Sequence, residues 1–328
     1  MTELTENEAR AVSQITERVV SHVSRGLTGK DDVIRSAFQV MLTGGHLLIE
    51  DVPGVGKTLL ATGLARACQL SFSRIQFTAD LMPGDITGVR VYNPADGAWK
   101  FEAGPIFHEL VLADEINRSG PRTQSALLEA MEERRVSVDG TTYLTPQPFF
   151  VIATANPVEM DGTFQLPEAQ RDRFTARLSI GYLDEAGEAA MVAARTAARP
   201  DETAAASVTA VTSAKDLLAA QVLVRKVYVA DALYRYAVRL ADGTRRTDVF
   251  RLGISPRGVI HVIVMAKAIA ITAGRTHVLP DDIQTAAHST WRHRLTLTPA
   301  AARAGDNVGD VLTNILARTP LPSRTPRS

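Results

Sequence analysis

One stretch of the sequence constrains the fold more than any other: an apolar run, a glycine-rich loop and a helical pattern in direct succession. The run Leu47–Glu50 leads into Pro53-Gly-Val-Gly-Lys57-Thr58, and apolar residues at helical spacing follow. Backbone N–H groups of such a loop curl around an anion, and the next helix adds partial positive charge. Lysine then reaches the terminal phosphates, and the hydroxyl after it binds Mg²⁺. The pattern predicts a P-loop with nucleotide contacts from Pro53, Gly54, Val55, Gly56, Lys57, Thr58 and Leu59.

The loop departs from the usual pattern at its first position. The full motif G-x-x-x-x-G-K-[ST] begins with glycine, and this chain has Asp51 there. A carboxylate at this position either weakens phosphate binding or points away from the loop. A chance Gly-x-Gly-Lys-Thr on a surface turn is the alternative, and the flanking strand and helix disfavour it.

A second apolar run carries the acidic groups that a P-loop enzyme needs. The run Leu110–Ala113 is followed directly by Asp114 and Glu115. Asp114 is expected to hold Mg²⁺ together with Thr58, and Glu115 is expected to orient or deprotonate the water that attacks the γ-phosphate. Paired acids at a strand end usually only face solvent, but after a P-loop they indicate an ATPase that uses ATP and Mg²⁺.

The first half of the chain alternates short apolar runs with helical patterns, which predicts a parallel sheet covered on both faces. Two helices precede the first run. The predicted strands are 46–50, 74–77, 109–113, 149–155 and 175–180. We therefore expect an α/β fold in which an αβα nucleotide-binding domain spans residues 1–183.

The second half has a different character. Its Ala-, Thr- and Ser-rich start predicts a connector over 184–213. Helical patterns then predict an all-α domain over 214–328, with helices at about 214–225, 229–242, 256–274, 281–292 and 307–317.

Two segments of the first half are typical of β-hairpins. Residues 88–101 place apolar residues around a polar Asn-Pro-Ala-Asp-Gly tip, and residues 135–144 alternate around Asp139-Gly140. Asp-Gly is the strongest short-range hairpin signal.

Composition and charge exclude several classes of protein. With 36 basic and 36 acidic side chains, the net charge is +0, so no overall field draws the chain to nucleic acid. Cys68 alone excludes a disulfide framework and a Cys-rich zinc site, and it is expected in the core. The polar, acidic first residues and the lack of a long apolar segment predict a cytoplasmic protein with no membrane span.

Together these motifs resemble the AAA+ ATPases, and within them the MoxR family, over nearly the whole chain. The resemblance is carried by the segments 44–58, 77–88, Gly104-Pro-Ile-Phe107, Asp114-Glu-Ile-Asn-Arg118, Ala130-Met-Glu-Glu133, Ala153-Thr-Ala-Asn-Pro157, 166–174 and Ser255-Pro-Arg257. It implies an AAA+ αβα domain followed by a helical lid domain, assembled into a homo-oligomeric ring, usually a hexamer. The hairpins match the insert in helix 2 and the hairpin before sensor 1, which in related rings face the pore or the client.

The resemblance also assigns catalytic roles to polar residues. Asn156 matches sensor 1, which would bond the attacking water or the γ-phosphate. Arg173 matches the arginine finger supplied to the next subunit's ATP, with Arg171 as a rival. Arg257 matches sensor 2, linking the lid to the phosphates of its own subunit or of the neighbour.

The implied function is a chaperone-like remodeller that uses ATP hydrolysis to mature or activate a protein client, often beside a partner with a von Willebrand factor A domain. The motor subunit of a chelatase-like metal-insertion complex shares every site residue and stays open. A nucleic-acid motor is disfavoured by the neutral charge. Glu115, Asn156 and Arg173 together argue against a scaffold that binds ATP without turnover.

Overall fold

A five-stranded parallel sheet forms the centre of the first half of the protein. The computed structural model describes residues 3–95, 97–156, 164–197 and 204–322. Its strands are β1 Leu47–Glu50, β2 Phe72–Gln76, β3 Gly88–Asn93, β4 Ala98–Ala103, β5 Leu110–Asp114, β6 Arg135–Val138, β7 Thr141–Leu144, β8 Phe150–Ala155, β9 Ala176–Leu178, β10 Phe250–Leu252 and β11 Thr296–Leu297. The sheet has the order β2-β5-β8-β1-β9 with parallel neighbours throughout. The five predicted strands are confirmed within a few residues.

Helices cover this sheet and build most of the second half. They are α1 Glu6–Val23, α2 Asp31–Thr43, α3 Lys57–Ala67, α4 Pro83–Thr87, α5 Pro121–Glu133, α6 Glu168–Arg171, α7 Glu185–Ala197, α8 Ala214–Lys226, α9 Asp231–Arg245, α10 Pro256–Thr272, α11 Pro280–Trp291, α12 Pro299–Ala304 and α13 Val308–Arg318. The two helices predicted before the first strand and the five predicted after residue 213 are all confirmed.

The side chains of β1 show why its sequence is apolar at consecutive positions. Leu47 and Ile49 join a hydrophobic cluster with α1, α2 and α3, whereas Leu48 joins a second cluster beneath α5. Successive side chains of a strand point to opposite faces, so a strand covered on both sides must be apolar throughout. The αβα arrangement is confirmed.

The second half is a helical domain that shares the first of these clusters. Helix α10 packs against α1 and α2, and Trp291 of α11 is fully buried and donates through Nε1 to the carbonyl of Gly258. Its core is therefore continuous with one face of the sheet.

Several elements of the second half were not anticipated. Helix α7 occupies the first part of the predicted connector 184–213, whose residues 198–203 lie outside the described part of the chain. Helix α12 and an antiparallel ribbon of β10 and β11 add to the expected helices. Each of the latter two is too short for hydrophobic periodicity to predict it.

Both predicted hairpins are confirmed, as β3–β4 and β6–β7. Asp139 and Gly140 both have positive φ, as the tight turn between β6 and β7 requires. Phe101 stacks on Tyr143 with ring centroids 4.0 Å apart, which joins the two hairpins at their bases. Tyr92 and Trp99 form an exposed pair nearer the tip of the first hairpin.

Candidate active site

The glycine-rich loop leaves the carboxyl end of β1 and enters α3 at Lys57. Gly54 and Gly56 have φ of 86° and 101°, a region that suits glycine. A Cβ on Gly56 would lie 2.6 Å from Leu27 Cδ1, so a side chain there would be strained by the backbone conformation and would also require Leu27 to shift. The loop residues 54–56 therefore present backbone N–H groups at the start of a helix, the arrangement that binds phosphate.

Lys57 is half-buried beside this loop. Its Nζ donates to the backbone carbonyl oxygen of Asp51. Burial lowers the pKa of Lys57, and the nearby Asp51, Asp114 and Glu115 carboxylates oppose that shift. The ammonium group is thus a cation held among acidic groups and turned toward the loop.

Asp51, the departure from the P-loop pattern, points away from the loop. Its Oδ2 accepts hydrogen bonds from Ser179 Oγ at 2.9 Å and from the backbone N–H groups of Ile180 and Gly181, both at 2.7 Å. Burial alone would raise the pKa of Asp51, but these bonds and one from the Val52 N–H outweigh burial and lower it. The carboxylate therefore ties β1 to the segment after β9 and leaves the phosphate side of the loop clear.

Asp114 and Glu115 lie at the carboxyl end of β5, two strands from β1. Asp114 accepts from Thr154 Oγ1 and from Arg74 Nη2, each at 2.6 Å. Glu115 has φ 56° and ψ 49°, the left-handed region, which turns the chain sharply after the strand. Its Oε2 accepts from Gln76 Nε2 at 2.8 Å and from Arg118 Nη1 at 3.1 Å. The Glu115 carboxylate is thereby fixed by neighbours on both sides.

Asn156 follows β8, the strand between β1 and β5. It is buried, and its backbone carbonyl accepts from Asn117 Nδ2 at 3.4 Å. Parallel strands end at a common edge, so the structure brings Asn156 to the edge that carries the loop and the two acids. The structure therefore brings Lys57, Thr58, Asp114, Glu115 and Asn156 to one edge of the sheet.

An apolar cavity of about 310 Å³ adjoins the loop. It extends from Gly54 and Val55 to residues outside the motif, namely Leu27, Thr28, Tyr182, Leu183, Glu188 and Met191. A pocket of this size with mainly apolar walls accepts a flat heterocycle, and it lies where a base would continue from phosphates on the loop.

Arg173 and Arg257 lie at the opposite edge of the sheet. Arg173 Nε donates to Glu132 Oε2 at 2.8 Å, and Arg257 Nη1 donates to Glu132 Oε1 at 3.0 Å. Burial alone would raise the pKa of Glu132, but the two guanidinium groups outweigh it and hold the pKa below its usual value. The two arginines therefore share one carboxylate.

Contacts next to Glu132 define which edge this is. The Met131 carbonyl lies 3.1 Å from His46 Nε2, and Arg134 Nη2 donates to the Gly44 carbonyl at 2.7 Å. His46 and Gly44 directly precede β1, whereas the glycine-rich loop follows it. The strand alone separates the two sites by about 10 Å.

The described residues contain no group of three or more His, Cys, Asp or Glu side chains placed to hold a metal ion. The oxygen atoms of Thr58 and Asp114 are nevertheless hard ligands of the kind that Mg²⁺ prefers, and Mg²⁺ is usually bound by one or two protein oxygens plus phosphates and water. The residues present therefore fit a Mg²⁺ ion that is bound together with a nucleoside triphosphate.

Comparison with known proteins agrees with this geometry. Residues 46–176 match the ATPase family associated with various cellular activities (AAA), and residues 243–315 match the AAA lid domain. Over 315 residues the chain is 38% identical to Chaperone MoxR1 of Mycobacterium tuberculosis, covering 93% of this chain and 82% of that protein. The chain belongs to the MoxR family of AAA+ ATPases.

Other relatives are similar over most of the chain. It is 32% identical to Protein MoxR of Paracoccus denitrificans, covering 83% of this chain and 86% of that protein. It is 42% identical to the uncharacterized protein YeaC of Bacillus subtilis, with 93% and 94% covered. A crystal structure of a Cytophaga hutchinsonii protein assigned to the ATPases superposes with a TM-score of 0.89 at 34% identity, covering 97% of this chain and 98% of that one.

Within this MoxR-family fold, sequence reasoning missed two groups of residues. The acids at the end of β5 are held by Arg74, Gln76 and Thr154, which come from two neighbouring strands. A polar residue at the end of each neighbouring strand was the signal that could have identified them. The walls of the cavity came from the α1–α2 turn and from α7, and no motif marks them.

Two further expectations can be compared with the structure. Cys68 is fully buried, and burial raises the pKa of its thiol to about 12, so it is an inert core thiol as expected. Among the helices that the structure describes, none has both the length and the apolar character needed to cross a bilayer.

Proposed function

We propose that this protein binds Mg-ATP at the carboxyl edge of its sheet and hydrolyses it. The observation that carries the proposal is the meeting of Lys57, Thr58, Asp114, Glu115 and Asn156 at the ends of three adjacent strands. A loop of backbone donors, a lysine, a hydroxyl and two acids supply what phosphoryl transfer to water requires: positioning and compensation of negative charge.

Each residue has one role in this proposal. The N–H groups of loop residues 54–59 and the Lys57 ammonium hold the β- and γ-phosphates, and the cavity beside the loop holds the base. Thr58 and Asp114 bind the Mg²⁺ ion. Glu115 orients the attacking water and accepts its proton, while the Asn156 amide bonds the water or the γ-phosphate.

The site is completed by a second subunit in this proposal. Arg173 and Arg257 lie at the edge opposite their own glycine-rich loop, so in a homo-oligomeric ring they would face the loop of a neighbour. A planar guanidinium matches the charge that develops on a transferred phosphoryl group. Arg173 is favoured over Arg171 because it shares Glu132 with Arg257, which places both cations on one surface. From the resemblance to the MoxR family, we expect a ring of six subunits.

We further propose that hydrolysis drives remodelling of a protein client. Support comes from the relative named Chaperone MoxR1 and from the exposed Tyr92 and Trp99 on the first hairpin. A partner with a von Willebrand factor A domain remains an expectation from the family resemblance. Movement of the lid during the ATP cycle would be passed to the hairpins and the client.

The proposed activity is tested by comparing Glu115→Gln with the wild type. The variant keeps the size and polarity of the side chain but loses the base, so we expect ATP affinity to persist and phosphate release to fall about 100-fold or more. Glu129→Gln is the matched control, because Glu129 is an exposed carboxylate on α5. Wild-type turnover in Glu115→Gln would assign water activation to another group.

A client is sought with the same variant. Glu115→Gln loaded with Mg-ATP should hold the substrate-engaged ring, so a protein should co-purify with it and not with Lys57→Ala. Recovery of the same proteins with both variants would show that the association does not depend on bound ATP.

A further inference from the structure

Arg294, which follows α11, lies almost completely inside the protein with its side chain 3% exposed. Its Nε donates to Asp172 Oδ1 at 2.6 Å. Its Nη2 donates to the backbone carbonyls of Asp172 at 3.0 Å and Phe174 at 2.6 Å, and its Nη1 lies 3.3 Å from the carbonyl of Thr175. One guanidinium of the lid therefore surrounds the backbone on both sides of Arg173.

Other lid residues hold the same turn. His293 Nε2 lies 3.2 Å from the Phe174 carbonyl, and Ser255 Oγ, at the start of α10, lies 3.5 Å from Asp172 Oδ2. The cluster is far along the chain from the turn that it binds, and it lies at the edge away from the glycine-rich loop. Contact with the same subunit's nucleotide does not explain it.

The charged groups of this cluster are Arg294 and Asp172, which form an ion pair. Arg294 also contacts His261 Nδ1, and burial together with the Arg294 charge lowers the pKa of His261 to about 3. The same two causes hold the pKa of His293 well below its usual value. Both imidazoles are therefore neutral at pH 7, and Asp172 is the carboxylate that balances Arg294. Breaking one partner of such a buried pair leaves a charge without compensation.

We propose that Arg294 is a positioning residue for Arg173: it fixes the finger-bearing turn to the lid, so that the orientation of the guanidinium offered to the neighbouring subunit follows the position of the lid. This inference rests on the proposed role of Arg173. Arg294 itself touches no nucleotide. A misplacement of about 1 Å in a catalytic group is able to cost about 100-fold in rate, so a turn held by several bonds to one side chain is a sensitive point.

The first test separates catalysis from binding. Arg294→Ala is expected to lower kcat by about 100-fold and to leave the Kd for ATP, set at the opposite edge, within about twofold. Arg294→Lys keeps the charge but loses the planar fork, and about a tenfold loss in kcat is expected. Arg292→Ala, which removes an exposed arginine two residues away, is the matched control and should retain wild-type kcat.

The second test asks through which site Arg294 acts. Arg294→Lys mixed with Lys57→Ala should regain activity, because the Lys57→Ala subunits supply an intact finger to the intact loops of Arg294→Lys. Arg173→Ala mixed with Lys57→Ala is the comparison. If that mixture regains activity and the Arg294→Lys mixture does not, the defect lies in the ATP site of the Arg294→Lys subunit itself, and the inference is overturned. A double variant Arg173→Ala/Arg294→Lys should be no slower than Arg173→Ala alone.

The outcomes also separate this inference from the function on which it rests. Full turnover in Arg173→Ala would contradict the proposed finger. Loss of turnover in Arg173→Ala with wild-type kcat in Arg294→Lys would leave the finger in place and contradict the positioning role alone. Thermal unfolding of each variant shows whether a lower kcat results only from a loss of folded protein. If Arg294→Ala does not fold, the kcat of Arg294→Lys is used in its place.

Discussion

The two edges of the parallel sheet carry different sets of polar groups. The carboxyl edge has backbone donors, a lysine, a hydroxyl, two acids and a cavity, all within one chain. The amino edge has two arginines that share Glu132. The first edge has what is needed to hold a triphosphate, and the second has cations without a phosphate of their own subunit nearby. Under the proposed function, copies placed edge to edge would bring these two sets of groups together.

The two edges also differ in how they are built. Residues 51–59 at the carboxyl edge are contiguous, and local backbone conformation shapes them. At the amino edge, Arg173 is held by Glu132 of α5, and its turn is held by Arg294 after α11, more than a hundred residues further on. The glycine-rich loop therefore depends on a local sequence motif, whereas the position of the two arginines depends on how the lid packs.

The largest expected effect is at the amino edge. Arg173→Ala should lower turnover about 1000-fold, because the developing phosphoryl charge loses its guanidinium, and should leave ATP affinity nearly unchanged. Steady-state hydrolysis and calorimetry with ATP measure the two quantities. Arg171→Ala is the comparison, and if it rather than Arg173→Ala removes turnover, the finger is Arg171.

The matching change at the carboxyl edge should act on binding. Lys57→Ala removes the cation that meets the terminal phosphates, and we expect ATP affinity to fall at least about 100-fold. Calorimetry at fixed Mg²⁺ measures it. Ordinary affinity in this variant would remove Lys57 from the phosphate site and would weaken the contrast between the edges.

Much of the carboxyl edge could be predicted from the sequence because each of its parts is a short sequence motif at the end of an apolar run. The strands, the glycine loop, Asp114 and Glu115 were found this way. The direction of the Asp51 carboxylate could not be, because its partners Ser179 and Gly181 lie more than a hundred residues away. The pairing of Arg173 with Arg257 through Glu132 was also missed, because Glu132 lies 41 residues from Arg173 and 125 residues from Arg257 along the chain.

A smaller effect tests the assignment of Asp51 to structure. Asn in its place loses the negative charge, and its one side-chain oxygen cannot accept both from Ser179, Ile180 and Gly181 and from the Val52 N–H, so Asp51→Asn should lower the free energy of unfolding by about 2 kcal/mol. ATP affinity should stay as in the wild type. Denaturant unfolding measures the stability, and calorimetry measures the ATP affinity. A large loss of affinity without loss of stability would place the carboxylate at the phosphates.

The smallest expected effect concerns pH and the amino edge. Burial lowers the pKa of His46 to about 4, below its unfolded value near 6.5. Between those values the unfolded chain binds a proton that the folded chain does not, so stability must fall as pH falls. His46 should contribute a loss of about 1 kcal/mol between pH 7 and pH 5.5. Urea unfolding should show a flatter pH dependence for His46→Asn, whereas exposed His277→Asn should match the wild type.

The central claim is that one subunit holds ATP while its neighbour supplies the arginine. An equal mixture of Lys57→Ala and Arg173→Ala subunits, each almost inactive alone, tests it most directly. Random assembly joins an intact loop to an intact finger at about a quarter of the interfaces, so hydrolysis should return to about a quarter of the wild-type rate. A mixture that assembles and stays as inactive as its components would contradict the account.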